Sequence, residues 1–229
     1  MNRYSVIRGN FPREFLLLQG TGCKWGKCTF CDYCSDISST PYHVNKEVLK
    51  RVTGKFGVLD IINSGSAMEL DSETISEIRK VVKDKCIHTI WFEAHYMYRH
   101  RLADFARQFQ PAVVKFRCGV ETFDPLLRSR WQKGIGHDVT AKDIARYFHG
   151  LCLLCCTDTP GDTRERLLQD IELAEKYFEY YSINVFCHNS TSIRCNDEML
   201  RWFKSEVCPT LQKSAKAEVL IDNTDLGVG

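Results

Sequence analysis

Four of the chain's 12 cysteines stand close together, at Cys23, Cys28, Cys31 and Cys34. The first three fall in Gly22-Cys23-Lys24-Trp25-Gly26-Lys27-Cys28-Thr29-Phe30-Cys31. Three thiolates on one loop can hold three irons of a cubane cluster and leave the fourth iron without a protein ligand, the open position that a cofactor or substrate needs. Gly22 and Gly26 would let the backbone curl tightly round the inorganic core. Two triplets are available, Cys23-Cys28-Cys31 and Cys28-Cys31-Cys34. All four thiols together would suit a tetrahedral structural zinc instead.

The other cysteines lie mostly in apolar runs, where a thiol behaves as a small hydrophobe. Disulfides rarely persist in a reducing compartment, and the N-terminus has no apolar stretch like that of a signal peptide. The longest apolar runs, such as Phe15-Leu16-Leu17-Leu18, are far too short to span a bilayer. The chain is therefore expected to be soluble and cytoplasmic, with no membrane partner.

The elements that would position the loop alternate in type. Strand-like runs are Phe15–Gln19, Val58–Asn63, Thr89–Phe92, Ala112–Arg117, Leu151–Thr157 and Ser182–Phe186, with amphipathic segments between them. Ile75, Ile78 and Val82 share one helix face; Leu167, Ile171, Ala174 and Phe178 form another stripe, with Asp162 and Glu165 placed like a capping box. Asn196 is positioned to cap a last helix. Strand then helix, six times, predicts an α/β fold: a parallel sheet in an open partial (β/α)6 barrel, the cysteine loop following its first strand. A single domain over 1–229 is expected, with its core at about 15–205 and a tail from 206. Ala217 to Asp222 could add one strand, and Gly227-Val228-Gly229 is expected to fray. In such folds the chemistry sits at the carboxyl ends of the strands. Glu93, His95, Asp158, Asn184, His188 and Asn189 all fall there, although each taken singly could equally be structural.

The cysteine segment resembles the radical S-adenosylmethionine (SAM) superfamily, whose loop usually reads Cys-x3-Cys-x2-Cys with an aromatic residue before the third cysteine. Phe30 occupies that slot, while the first spacing, Cys23-x4-Cys28, is one residue longer. The resemblance favours Cys23, Cys28 and Cys31 as ligands of a [4Fe–4S] cluster. Later segments resemble the superfamily in the same order. Ser64-Gly65-Ser66 stands where a Gly-Gly-Glu segment meets the methionine amino group, without the usual Glu. Gly119-Val120-Glu121-Thr122 and Arg130-Trp131-Gln132-Lys133-Gly134 look like its Gly-x-Glu-Thr and Asn-Lys-Gly pair. Thr159-Pro160-Gly161-Asp162-Thr163 matches its Pro-Gly-x-Thr turn. The likeness runs from about Phe15 to about Phe186. It implies SAM as cofactor, with Phe30, Ser64, Gly65, Ser66, Glu121 and Thr122 around it and Lys133 or Arg130 on its carboxylate. It also implies an electron donor of the flavodoxin or ferredoxin type, and hydrogen abstraction from the substrate by a 5′-deoxyadenosyl radical.

The short chain, the Cys-x4-Cys-x2-Cys loop and the segment from Glu93 to Arg99 are similar to small radical SAM enzymes of 7-deazapurine metabolism. That likeness implies a carbon–nitrogen lyase of queuosine salvage that cleaves queuine to the preQ1 base. Glu93, His95 and Asp158 are then the catalytic candidates, and Trp25, Glu93, Asp158, Asn184, His188 and Asn189 would contact a purine-like substrate by stacking and edge hydrogen bonds. The alternatives are a tRNA-modifying radical SAM enzyme, archaeosine-synthase-like or Elongator-like, and a zinc-stabilised binding module without turnover. A formal charge of +2 over 229 residues gives no general field for nucleic acid and argues against the first.

Overall fold

The computed structural model describes residues 2–222, apart from the Cys34 side chain. The expected fraying of Gly227-Val228-Gly229 lies outside the described residues. The chain forms two compact units, one of the residues up to Gly26 with Tyr33–Phe116, the other of Lys27–Asp32 with the residues from Arg117.

In the first unit the strand order is β1 (Tyr4–Ile7), β2 (Arg13–Leu18), β3 (Val58–Asn63), β4 (Thr89–Glu93). β1 runs antiparallel to β2, and the remaining neighbours are parallel. All six residues of β2 are buried, as a strand covered on both faces must be. Each fully buried leucine there contributes about 1.5–3 kcal/mol. The polar residues of β2 are matched in place. Arg13 Nε donates to Asp60 Oδ2 on β3 at 2.8 Å, both side chains buried. The Glu14 carboxylate accepts from Tyr4 Oη at 2.7 Å and from the Thr53 and Gly54 N–H groups, each at 2.8 Å. Gly54 has φ +78°, and a Cβ there would stand 2.4 Å from the Lys85 carbonyl oxygen, so only glycine closes this turn.

Helices α1 (Tyr42–Leu49) and α2 (Ser72–Asp84) are the crossovers of this unit, and α3 (Leu102–Arg107) follows β4. Asn45 of α1 is buried. Its Oδ1 accepts from Gln19 N at 2.7 Å and its Nδ2 donates to Gln19 O at 2.9 Å, pinning the chain just before the cysteine loop. Asp71 caps α2 by accepting from Thr74 N at 2.7 Å.

The second unit carries the end of β5 (Val113–Glu121), then β6 (Gly150–Cys155), β7 (Tyr180–Val185) and β8 (Ala217–Leu220), parallel and in that order. Its helices are α4 (Pro125–Arg130), α5 (Ala141–Ala145), α6 (Arg164–Tyr177), α7 (Asp197–Trp202) and α8 (Cys208–Leu211). The β5–β6 register shifts between Gly119 and Glu121, and Glu121 takes the left-handed φ of +66°. Tyr181 Oη donates to Glu175 on α6 at 2.9 Å. With period two, Ser182 and Asn184 therefore face away from that helix. Buried Arg166 is clasped by Asp162 and by Asp170, the latter at 2.8 Å. Burial pushes both carboxyls upward against the pull of that guanidinium.

The six expected strands are β2 to β7, and the expected tail strand is β8. Asn196 caps α7 as expected, accepting from Met199 N at 3.0 Å. The cap of α6 is corrected: Thr163, not Asp162, is the N-cap, accepting from Arg166 N at 3.2 Å. Asp162 turns inward to Thr157 and Arg166 instead. The expected strand Ala112–Arg117 extends to Glu121, because Cys118 and Val120 are fully buried sheet residues.

Candidate active site

In the first unit, the carboxyl ends of β2, β3 and β4 bring together several of the predicted residues. Trp25, on the cysteine loop, stacks on His95 after β4, ring centroids 5.5 Å apart and planes within 15°. His95 is buried. Its N–H donates to Ser66 Oγ at 3.0 Å, and its Nδ1 accepts from Met97 N at 3.2 Å, which places the proton of a neutral ring on Nε2. Glu93 ends β4, half-buried. The Ser64-Gly65-Ser66 turn follows β3. Ser64 Oγ accepts from Gly20 N at 2.7 Å and donates to the Asp36 carbonyl at 2.6 Å. Both hydroxyls are engaged, and so are the Gly65 and Ser66 N–H groups, so what the turn can offer a ligand is carbonyl oxygen.

One residue at the centre of this unit's site went unnoticed in the sequence. The Glu69 carboxylate, buried beneath the turn, accepts from Ser66 N at 2.8 Å, Lys24 N at 3.0 Å and Tyr98 Oη at 2.7 Å. Ser66 and Glu69 have the S-x-x-E spacing of a capping box, the one sequence signal that could have drawn attention to it. Burial and the Glu69 carboxylate push the Tyr98 phenol well up.

In the second unit, Cys31 N donates to the Cys28 carbonyl at 3.3 Å, setting Cys28 and Cys31 on one turn. Phe30 meets Trp131 edge-on at 5.8 Å, and the Lys133 ammonium lies 5.5 Å from the Phe30 ring centroid. Lys133 Nζ also donates to Glu121 Oε1 at 2.9 Å. Thr122 is buried and hydrogen-bonds Asp170. Arg130, exposed, donates to the Pro160 carbonyl. Asn189 Nδ2 donates to the Phe30 carbonyl at 2.7 Å, and its Oδ1 accepts from Thr191. Asp158 is exposed, accepting from Arg194 N at 2.9 Å, and His188 is exposed. Asn184, facing away from α6, has a buried Oδ1 with no hydrogen-bond partner among the described residues.

The donor chemistry fits an iron–sulfur cluster. Cys23 is exposed and Cys28 and Cys31 half-buried, all as thiols rather than disulfides. Gly26 N lies 3.4 Å from Cys23 Sγ, an N–H aimed at a sulfur that would carry charge as a thiolate. Gly22 (φ +124°) and Gly26 (φ +57°) both use conformations that side chains rarely adopt. Among the described residues no three His, Cys, Asp or Glu side chains are already gathered to hold a metal, so the ligand set rests on this donor chemistry. Nor is any helix among them long and apolar enough to cross a membrane.

No protein-family model and no curated protein matches the chain. A solved structure does: queuine lyase from Clostridium spiroforme bound to SAM and queuine, at 37% identity, covering 100% of this chain and 99% of that one, with a TM-score of 0.93. The parallel α/β partial barrel expected from the sequence is thus the fold present, and with a three-cysteine loop after its first parallel strand it defines a radical SAM enzyme. Identity of this level over the full length carries more than the fold. The chain belongs to the queuine lyase family, which sets aside the zinc-module and tRNA-modifying readings.

Proposed function

We propose that this chain binds SAM and queuine and cleaves queuine to the smaller preQ1 base by radical chemistry. The full-length likeness to a queuine lyase holding both molecules carries the reading. Cys23, Cys28 and Cys31 would hold the [4Fe–4S] cluster, which when bound supplies the single electron for reductive cleavage of SAM.

The chain's own part is binding and orientation. Carbonyls of the Ser64-Gly65 turn receive the methionine amino end, and Ser66 closes that turn with its N–H on Glu69 and its carbonyl accepting from Glu69 N. Lys133 or Arg130 meets the methionine carboxylate: the Lys133 ammonium stands beside Glu121, and Arg130 is exposed with one N–H on the Pro160 carbonyl. Glu121, Thr122 and Phe30 complete the cofactor side. The Trp25–His95 stack offers a flat platform to a purine-like base, and its His95 Nε2–H is a donor. Glu93 and Asp158 are carboxylates suited to hold or move a proton, and Asn184 and His188 supply edge contacts. Asn189 acts through Phe30, which it holds by the carbonyl. The reductant would be a flavodoxin or ferredoxin-type protein, and the place of action the cytoplasm.

The test is anaerobic reconstitution with iron and sulfide, then incubation with SAM, dithionite and queuine, followed by mass spectrometry. Formation of 5′-deoxyadenosine together with preQ1 supports the reading. SAM cleavage with queuine left intact removes the substrate, and a colourless, zinc-loaded protein removes the chemistry altogether.

A further inference from the structure

Glu69 is a buried carboxylate at the carboxyl ends of three strands, outside the residues assigned to cluster, cofactor or substrate. Its two oxygens receive the Lys24 N–H, the Ser66 N–H and the Tyr98 O–H, at 3.0, 2.8 and 2.7 Å. Thr21 Oγ1 reaches its backbone carbonyl at 3.4 Å. Lys24 immediately follows the first cluster cysteine, and Ser66 closes the turn offered to the methionine amino end. One anion thus joins the backbone that carries Cys23 to the backbone that meets SAM. Glycine at 65 is what lets it do so. A Cβ on Gly65 would stand 2.4 Å from Glu69 Oε2 and 3.4 Å from the Cys23 Cα.

We propose that Glu69 is a positioning residue that sets the Cys23 backbone and the Ser64–Ser66 turn as one unit, so that cluster loading and SAM binding depend together on its carboxylate. The inference rests on the proposed use of Cys23 as a cluster ligand. The carboxylate works here because it is acceptor-only. In Glu69→Gln the volume is kept, but one backbone N–H must face an amide N–H instead of an oxygen, whichever way the amide turns. Hydrogen bonds to a charged group are among the stronger ones in folded proteins, and groups that orient metal ligands typically change metal affinity about 10–100-fold when lost.

The experiment compares wild type with Glu69→Gln, Glu69→Asp, Gly65→Ala and Tyr98→Phe. Iron and sulfide per chain after anaerobic reconstitution are read first, then the SAM concentration that half-perturbs the electron paramagnetic resonance spectrum of the reduced cluster. The expected result is reduced loading in Glu69→Gln, a half-perturbing SAM concentration raised about 10–100-fold, and partial recovery in Glu69→Asp. Tyr98→Phe leaves both backbone donors satisfied and should stay within about threefold of wild type. Glu69→Gln that loads and responds to SAM like wild type overturns the proposal. If Glu69→Gln does not fold, Gly65→Ala decides, since it displaces the carboxylate from outside: normal loading and SAM response there overturn the proposal equally. Failure of the wild type itself to load iron would count against the proposed function instead.

Discussion

Lys133 Nζ and Glu121 Oε1 lie 2.9 Å apart with side chains only 10% and 8% exposed. Glu121 holds its end of this pair from a left-handed backbone, φ +66°, just past the register shift of β5. Residues forced into sparsely populated backbone regions cluster at functional sites, and an ion pair set in advance at such a place is suited to a zwitterionic ligand. A methionine carboxylate could take up the ammonium while its amino end is held elsewhere.

That arrangement predicts the behaviour of Lys133→Met. Removing one member of a buried pair leaves the other charge in low dielectric, at a cost of about 3–5 kcal/mol. Chemical denaturation of Lys133→Met should show a loss of this order, and adding Glu121→Gln should restore part of it. SAM affinity should fall in both variants. A single variant as stable as wild type would show that water or another group compensates Glu121.

The cysteine assignment predicts an asymmetry among four positions. Cys23→Ala, Cys28→Ala and Cys31→Ala should each abolish cluster loading, measured as iron and sulfide per chain and as the brown absorbance. Cys34→Ala should load normally. Loss of iron in Cys34→Ala with retention in Cys23→Ala would mean that the ligands are Cys28, Cys31 and Cys34.

A pH effect follows from Glu14. Burial pushes its carboxyl up, but the hydrogen bonds from Thr53, Tyr4 and Gly54 outweigh burial and leave it below the ordinary value of 4.5. A depressed folded value means that the stabilisation is complete above about 4.5 and is lost as pH falls through the lower folded value. Glu14→Gln should therefore be less stable than wild type at pH 7, and the gap should close in acid. The raised carboxyls of Asp162 and Asp170 act in the opposite sense, losing their contribution as pH rises. They are common to both proteins, so the difference isolates Glu14. A gap that stays constant from pH 7 to pH 3 would exclude this account.

The sequence made some of this architecture readable and hid the rest for identifiable reasons. Strands β2 to β7 could be read because parallel strands buried on both faces are written as continuous apolar runs, Phe15 to Leu18 being the clearest. β1 escaped because Tyr4–Ile7 is only half-buried and pairs antiparallel at an edge, with little apolar signal of its own. The end of β5 lies beyond the expected strand because Gly119 and Glu121 are poor strand formers, although the sheet accommodates them through a bulge. In the site, spacing marked out the cysteine loop, while the choice of Cys23, Cys28 and Cys31 over the triplet with Cys34 rests on the family resemblance. Glu69 was not, since its partners Lys24 and Tyr98 are 45 and 29 residues away and only the fold brings them to it.

Asn184 yields a prediction in which stability and activity move apart. Its Oδ1 is buried without a hydrogen-bond partner among the described residues, on the face of β7 turned away from α6. An unmet buried acceptor costs about 1–3 kcal/mol, and replacing it by an apolar group of similar shape can be neutral or stabilising. If that oxygen awaits an N–H of the base, Asn184→Leu should be as stable as the unliganded wild type or up to about 2 kcal/mol more so. It should nevertheless bind queuine about 10-fold or more weakly, the scale of one lost hydrogen bond that leaves a donor unpaired. SAM binding should not change, because no donor of the cofactor is assigned to Asn184. Thermal unfolding without substrate, together with KM for queuine and for SAM, separates the outcomes. A variant that loses stability while keeping its KM for queuine would make Asn184 a structural residue whose partner is water, and would move the edge contact to another strand end.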